Sequence, residues 1–279
     1  MSMGSFGLKS DLFHFRHNRF LKQVSYTCFL LLFLLLLAAP VSIANALQPV
    51  GTRYVTTTGS DASVDCSLAA PCRTVQHAAD VATSGDTISI GAGTFGTVDM
   101  SFKGLTLTGA GMNATYLDGG NVATVVTGGY ATYNISDLTI QNGRSSTYAA
   151  GVYLSNQATL TMDRVRITSN TGTGDAVGGL YAANSIVTLN DSIISNNTSS
   201  LGTGIKILQV GGTSNLTLNR VTMSGNNATT DIAAIYFSGT TLSITNSTIS
   251  GNTSPLTSAI SLSGGTATVL NSTISHNTS

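Results

Sequence analysis

The sequence predicts an all-β chain, a three-sided parallel β-helix solenoid with an N-terminal cap containing a short helix. Three observations predict it. Of 279 residues, 95 are Thr, Ser or Asn and 30 are Gly, whereas charged residues reach only 9%. That composition suits strands and turns. A short phrase with an apolar anchor recurs from Asp137-Leu-Thr-Ile140 onward with a period in the twenties, the signature of stacked repeats. Within each period apolar residues occupy alternate positions, as strands require.

The same composition excludes other classes. All 12 acids are Asp and Glu is absent, so the Glu- and Lys-rich surface of a helical bundle is missing. Lys+Arg 12 against Asp+Glu 12 leaves no electrostatic footprint for nucleic acid. Low charge with many Thr, Val and Ile is also unlike a disordered chain.

Residues 1–46 read as a signal peptide. Lys9, Arg16, Arg19 and Lys22 precede an apolar run from Cys28 to Ala39, Pro40 ends the run, and Ala44-Asn45-Ala46 has a small-x-small pattern. Cleavage is expected after Ala46, giving a secreted or cell-surface protein. An uncleaved anchor is the alternative, because no charge falls between Lys22 and Arg53. Against it, the apolar core is short for a span of roughly 20 residues. Only this segment is expected to meet a membrane. The remaining 233 residues carry a net charge of −3.

Residues 47–104 read as the cap and first strands. Cys66-Ser-Leu-Ala-Ala-Pro-Cys72 holds the two cysteines beyond the signal. A small loop disulfide is expected in an oxidising compartment. Free thiols are one alternative, and half a metal site without nearby His partners is another. No cofactor and no metal are expected. Pro71 to Thr83 predicts one amphipathic helix with Val75, Ala78, Ala79 and Val81 inward, covering the open end of the first coil. Asp86-Thr-Ile-Ser-Ile90 and Lys103-Gly-Leu-Thr-Leu107 begin the strands.

Residues 105–279 read as the repeats. The anchors Ile140, Ile167, Ile194, Met223, Ile249 and Ile274 are 27, 27, 29, 26 and 25 residues apart. Each period predicts three strands. The first alternates, as in Leu160 and Met162 or Val187 and Leu189. The second carries the anchor. The third opens with Gly or Ala, as in Gly151-Val-Tyr-Leu154 and Gly179-Leu-Tyr-Ala182. Coils then lie about 4.8 Å apart. Asn170, Asn197, Asn226, Asn252 and Asn277 each follow an anchor by three residues. They are expected to form a ladder, with Asn adopting the left-handed corner and its amide bonding the next coil. The repeats stop at Ser279 partway through a coil. Either further coils are missing there, or the edge stacks end to end on a partner.

With those residues in place, a resemblance can be stated. Cys66-Ser-Leu, Pro71-Cys72-Arg-Thr-Val-Gln-His-Ala-Ala79, Gly85-Asp-Thr-Ile-Ser-Ile90 and Gly93-Thr-Phe95 resemble the opening segment of bacterial secreted right-handed parallel β-helix proteins. Leu105-Thr-Leu-Thr-Gly-Ala-Gly111, Leu117-Asp-Gly119 and the Asn-Ser-Thr-Ile-Ser-x-Asn repeats continue it. The chain is similar to pectin-lyase-like proteins with repeats of the polymorphic-outer-membrane-protein type. The resemblance implies a right-handed solenoid over about residues 52–279. For function it implies little, since such folds host lyases, hydrolases, adhesins and scaffolds.

Outward columns are where chemistry can reside. Tyr153, Tyr181, Lys206 and Tyr236 fall on the outer side of successive third strands. They predict an aromatic strip on which sugar rings stack, with Lys206 as a polar contact. Exposed strands also favour Tyr for packing alone. The corner before the second strand reads Asp137, Arg164, Asp191, Arg220, Asn246, Asn271, and the alternating sign predicts an ion-pair ladder. A catalytic alternative pairs Asp163 and Asp191 with Arg164 or Arg166, as a glycosidase or lyase would need. Thr222, Ser224, Thr248, Ser250, Thr273 and Ser275 form a hydroxyl array suited to ordering water. The expected function is a non-catalytic module for binding a polysaccharide or surface glycan. A polysaccharide lyase or glycoside hydrolase is the alternative, and a stacking module of a longer surface protein is a third reading.

Overall fold

The computed structural model describes residues 51–202, 204–232 and 234–279; the expected signal segment and its cleavage site lie outside the described residues. Residues 49–279 form one unit, an all-β solenoid of about seven right-handed turns. That hand is general for parallel crossover connections.

Thr52–Val55 pairs in parallel with Thr87–Ile90, which pairs with Thr106–Thr108. The first face continues through Thr132–Gln141, Thr159–Thr168, Ile186–Asn190, Asn215–Asn219, Ile235–Thr245 and Ile260–Leu270. The second face runs from Gly93–Phe95 and Thr115–Asp118 to Thr248–Ser250 and Thr273–Ser275. The third runs from Val98–Asp99 and Val126–Gly129 through Val152–Ser155, Leu180–Ala183 and Ile205–Leu208.

Period-two alternation builds the core directly. Ile88, Leu107, Ile135, Met162, Leu189, Leu218 and Ile244 are register partners on the first face and are all buried. Leu117, Ile140, Ile167, Ile194, Met223 and Ile249 form the matching column on the second. Each such side chain contributes about 1.5–3 kcal/mol by leaving water. It can do so only because a neighbouring coil covers it. In the last coil Leu262, Val269 and Ile274 stay exposed, with no further coil over them among the described residues.

Three details differ from the sequence expectation. The expected Pro71–Thr83 helix is only Val75–Val81, here α1. Cys72 is held extended by its N–H to the Tyr54 carbonyl (2.8 Å) and by a bridge to Val55. The helix therefore waits until Thr74, whose hydroxyl caps the His77 N–H. Val75, Ala78 and Ala79 face the core as expected, while Val81 is only partly buried.

Second, the three faces carry an addition that the period did not announce. Arg144–Ser145, Thr171–Gly172, Thr198–Ser199 and Asn227–Ala228 form a short fourth ladder. Third, the ladder asparagines are not the left-handed residues. Ser169, Asn196, Gly225, Gly251 and His276, one position earlier, take positive φ instead. The asparagines point inward, and Asn170, Asn197, Asn226 and Asn252 are fully buried. Each donates from Nδ2 to Oδ1 of the next, at 2.8–3.0 Å. Each also donates to an anchor carbonyl of the preceding coil, such as Ile140 or Ile167.

The turn between the first and second faces is a single left-handed residue: Asp137, Arg164, Asp191, Arg220, Asn246 and Asn271 all have φ between 48° and 60°. The turn from the third face back to the first is also left-handed, at Phe102, Tyr130, Asn156 with Gln157, and Asn184. Asn enters this region easily, whereas other side chains meet a penalty of roughly 1–2 kcal/mol each. One stacked aromatic pair returns only about 0.5–1.5 kcal/mol. Phe102 and Tyr130 are therefore costly choices for a corner that Asn fills elsewhere.

Candidate functional site

Register places the predicted strip as expected. Tyr153 opposes Tyr181, Tyr181 opposes Lys206, and Lys206 opposes Tyr236. These residues alternate with the buried Val152, Leu154, Leu180, Ala182, Ile205 and Ile207, so the strand pleat turns them outward. Gly151 opens the third strand where a Cβ would lie 2.5 Å from the Gly179 carbonyl oxygen. Small residues at this position let the strand pass close beneath its neighbour.

Structure divides the strip in two. Tyr153 and Tyr181 join Tyr148, a loop residue outside the expected strip. Tyr148 stacks on Tyr153 with centroids 4.5 Å apart and planes 14° apart. Tyr181 lies 5.8 Å from both, tilted by 34° and 48°. Burial, followed by the neighbouring Tyr153 and Tyr148, pushes the Tyr181 phenol above its ordinary pKa. Beyond this cluster, Lys206 Nζ lies 5.6 Å from the Tyr236 ring centroid, a cation–π contact. The only sequence signal for Tyr148 is a lone aromatic among the small residues Ser145-Ser-Thr-Tyr-Ala-Ala150, in the coil that carries Tyr153. Loop conformation, not strand register, brings it to the strip, so periodicity could not find it.

The residues of the catalytic alternative each hold a partner. Arg164 donates from Nε and Nη2 to Asp137, at 2.7 and 2.8 Å. Arg220 grips Asp191 in the same bidentate way, at 2.6 and 2.8 Å. The expected ladder is thus two separate pairs, because each guanidinium spends its fork on the preceding coil. These pairs hold Asp137 and Asp191 below the ordinary carboxyl range, through hydrogen bonds from Arg164 and Arg220 respectively. Asp163 accepts from Asn190 Nδ2 at 2.9 Å, and Arg166 donates to Asn113 Oδ1 at 3.0 Å. Asp191 is ionised and paired, so a raised-pKa acid facing a second carboxylate is not formed here.

Cys66 and Cys72 are joined by a disulfide. His77, which sequence spacing did not connect to them, completes the one group of three potential metal ligands among the described residues. With both sulfurs in the bond their thiolates are not free to ligate, and His77 Nε2 sits 2.8 Å from the Ser63 carbonyl.

The hydroxyl array is in register: Thr222, Thr248 and Thr273 align, as do Ser224, Ser250 and Ser275. Ile193 and Arg166 occupy the same column in earlier coils, which limits the array to three coils.

Fold and outer surface define a class: a parallel β-helix whose outward columns, not its core, distinguish one member from another. The chain belongs to the right-handed beta helix region family, whose model matches residues 121–279. No curated protein sequence matches it. Among solved structures it is similar to a pectin methylesterase variant in complex with a hexasaccharide, at 13% identity and TM-score 0.36, over 75% of this chain and 80% of that one. It is also similar to a pectate lyase, at 14% identity and TM-score 0.33, over 79% of each chain. Neither likeness carries over a substrate or a reaction.

Proposed function

We propose that this protein is an exported, non-catalytic β-helix that binds a polysaccharide or surface glycan through its third face. One observation carries the reading: Tyr148, Tyr153 and Tyr181 converge on the outer side of the third face, followed by the Lys206–Tyr236 pair. Aromatic faces accept the C–H side of a sugar ring, and hydroxyls and a lysine meet its polar rim. The four residues suggested for catalysis are engaged with Asp137, Arg220, Asn190 and Asn113, which favours binding over turnover.

Affinity electrophoresis in plant, algal and bacterial polysaccharides tests this. Retardation by at least one polysaccharide, lost in Tyr148→Ala/Tyr153→Ala/Tyr181→Ala, is expected. Equal retardation of that triple variant removes the cluster from the function. Release of unsaturated products or reducing ends by the wild-type chain would replace a binding module with an enzyme.

A further inference from the structure

A hollow of about 500 Å³ opens elsewhere, where the third face turns back into the first in the early coils. Phe102 and Tyr130 line it from the turn, while Thr106, Thr132 and Asn134 line it from first-face strands. The two rings stack across neighbouring coils, with centroids 5.0 Å apart and planes 9° apart. They remain 72% and 59% exposed. Both residues hold left-handed backbone, at φ 68° and 61°.

That combination is unexpected for a purely structural turn. Corresponding turns of the next two coils use Asn156 and Asn184, at φ 57° and 50°. Asn is the low-strain residue for the job, and ring stacking does not offset the extra cost of Phe and Tyr. Strained positions that persist are concentrated at ligand sites.

The pair is also supported from beneath. Tyr133 is fully buried, and its hydroxyl accepts the Gly129 N–H at 3.0 Å. Its oxygen also lies 2.8 Å from the Gly129 carbonyl and 3.1 Å from the Met100 carbonyl, either of which can take its proton. Gly129 adjoins Tyr130, and Met100 lies two residues before Phe102. One phenol therefore sits against the backbone of both turns, bonded to Gly129 and within reach of Met100. Gly128 makes room for it, since a Cβ there would come within 2.9 Å of the Tyr133 ring. Bracing of the backbone that carries the rings lowers the ordering cost of binding.

Ligand class follows from the rest of the lining. Ser84, Thr106 and Thr132 offer hydroxyls and Asn134 an amide, and no charged side chain lines the hollow. Lys103 adjoins Phe102, but its Nζ donates to the Ala79 and Asp80 carbonyls at 2.9 and 2.6 Å. A pyranose suits an aromatic wall with a hydroxyl-rich rim. An acidic sugar would enter with no cation to meet it. We infer that Phe102 and Tyr130 form a binding site for a neutral saccharide ring. This site uses none of the residues of the Tyr148–Tyr153–Tyr181 cluster.

The test titrates the full chain with cellohexaose, xylohexaose, mannohexaose and, as the acidic probe, polygalacturonate. Calorimetry reports affinity. Tyrosine fluorescence serves as a second readout, since the chain has no Trp. The variant is Phe102→Asn/Tyr130→Asn, which installs the residue that later coils use at this turn and so preserves folding. At least one neutral hexasaccharide binds the wild type, and the double variant binds it about ten-fold or more weakly, with an undiminished thermal midpoint. Tyr148→Ala/Tyr153→Ala/Tyr181→Ala leaves that affinity unchanged. Failure of every neutral probe to bind overturns the inference, as does tighter binding of polygalacturonate that the double variant abolishes. Neutral binding that survives the double variant but not the triple variant also overturns it, while upholding the third-face reading. The opposite pattern upholds this site, and the third-face reading then stands or falls separately, on the polysaccharide retardation that the triple variant should lose.

Discussion

Asn226→Ala is the sharpest test of how the solenoid is held together. Asn226 Nδ2 donates to the Ile194 carbonyl at 3.0 Å and to Asn252 Oδ1 at 2.9 Å. Its Oδ1 accepts from the Asn197 N–H at 3.2 Å and from Asn197 Nδ2 at 3.0 Å. The substitution deletes all four bonds in a stretch where Asn197, Asn226 and Asn252 have no exposure. Water cannot replace them without opening the coil. At about 1 kcal/mol net per bond the loss is about 4 kcal/mol, and the unpaired Asn197 N–H adds to it. Asn277→Ala removes three bonds, to Asn252 and Ile249, at a partly exposed end, where solvent can compensate. Repeat arrays unfold by segments, so a single midpoint is not enough. Urea denaturation followed by amide exchange resolves the segments. Asn226→Ala should speed exchange at Asn197 and in the flanking coils by about 10²-fold or more, and Asn277→Ala should leave them close to wild type. If Asn226→Ala costs under about 1 kcal/mol, or no more than Asn277→Ala, the buried ladder is not what ties coil to coil.

Other predictions concern the cap and the early coils. Burial alone would raise the Asp86 carboxyl, but N–H groups of Gly51 and Thr83 and the Arg53 guanidinium hold it below its ordinary 3.8. A lowered folded value contributes stability above pH 3.8 that is lost as pH falls through it. Acid titration of stability should therefore be less steep in Asp86→Asn, which will be less stable at neutral pH. Reducing the Cys66–Cys72 bond should cost roughly 2 kcal/mol, and exchange should accelerate over residues 52–82 while the ladder coils stay protected. Tyr133→Phe keeps the ring but strips a partner from the buried Gly129 N–H, so a loss of about 1–3 kcal/mol is expected in thermal unfolding. A loss below about 0.5 kcal/mol would mean the hydroxyl braces nothing.

Inward residues were the legible part of this sequence. Period-two alternation placed Leu160, Met162, Val187 and Leu189 in the core, and the 25–29-residue spacing placed the anchors in one column. Both follow from backbone geometry that every coil must share. The outer strip was legible for the same reason, since Tyr153, Tyr181, Lys206 and Tyr236 lie at one phase of the repeat. What escaped was set by single contacts rather than by period. Thr74 and the extended Cys72 shortened α1. A shift of one residue moved the left-handed turn from the ladder Asn to its predecessor. Loop folding brought Tyr148 to the strip and His77 to the disulfide. Phe102 and Tyr130 escaped because their coils precede the clear repeats, so no column showed that they stand where Asn156 and Asn184 stand later.

The solenoid separates two selective demands that a globular domain mixes. Stacking constrains the inward columns tightly: Ile, Leu and Met exchange for one another in the apolar columns, and Asn alone fills the ladder column. They carry no information about a ligand. Outward positions carry no such constraint, and an exposed strand is satisfied by Thr, Ser or Asn, as most of this surface shows. A bulky aromatic on that background is therefore informative in proportion to how poorly the scaffold explains it. Tyr153 and Tyr181 are moderately informative, because exposed strands favour Tyr. Phe102 and Tyr130 are more so, because their left-handed turns disfavour both residues. By this reasoning Phe102→Asn/Tyr130→Asn should raise or preserve the thermal midpoint, whereas removing Tyr153 and Tyr181 should lower it. A midpoint that falls more for the Phe102/Tyr130 variant would show that the scaffold itself requires those rings, and the case for a ligand there would lose its physical basis.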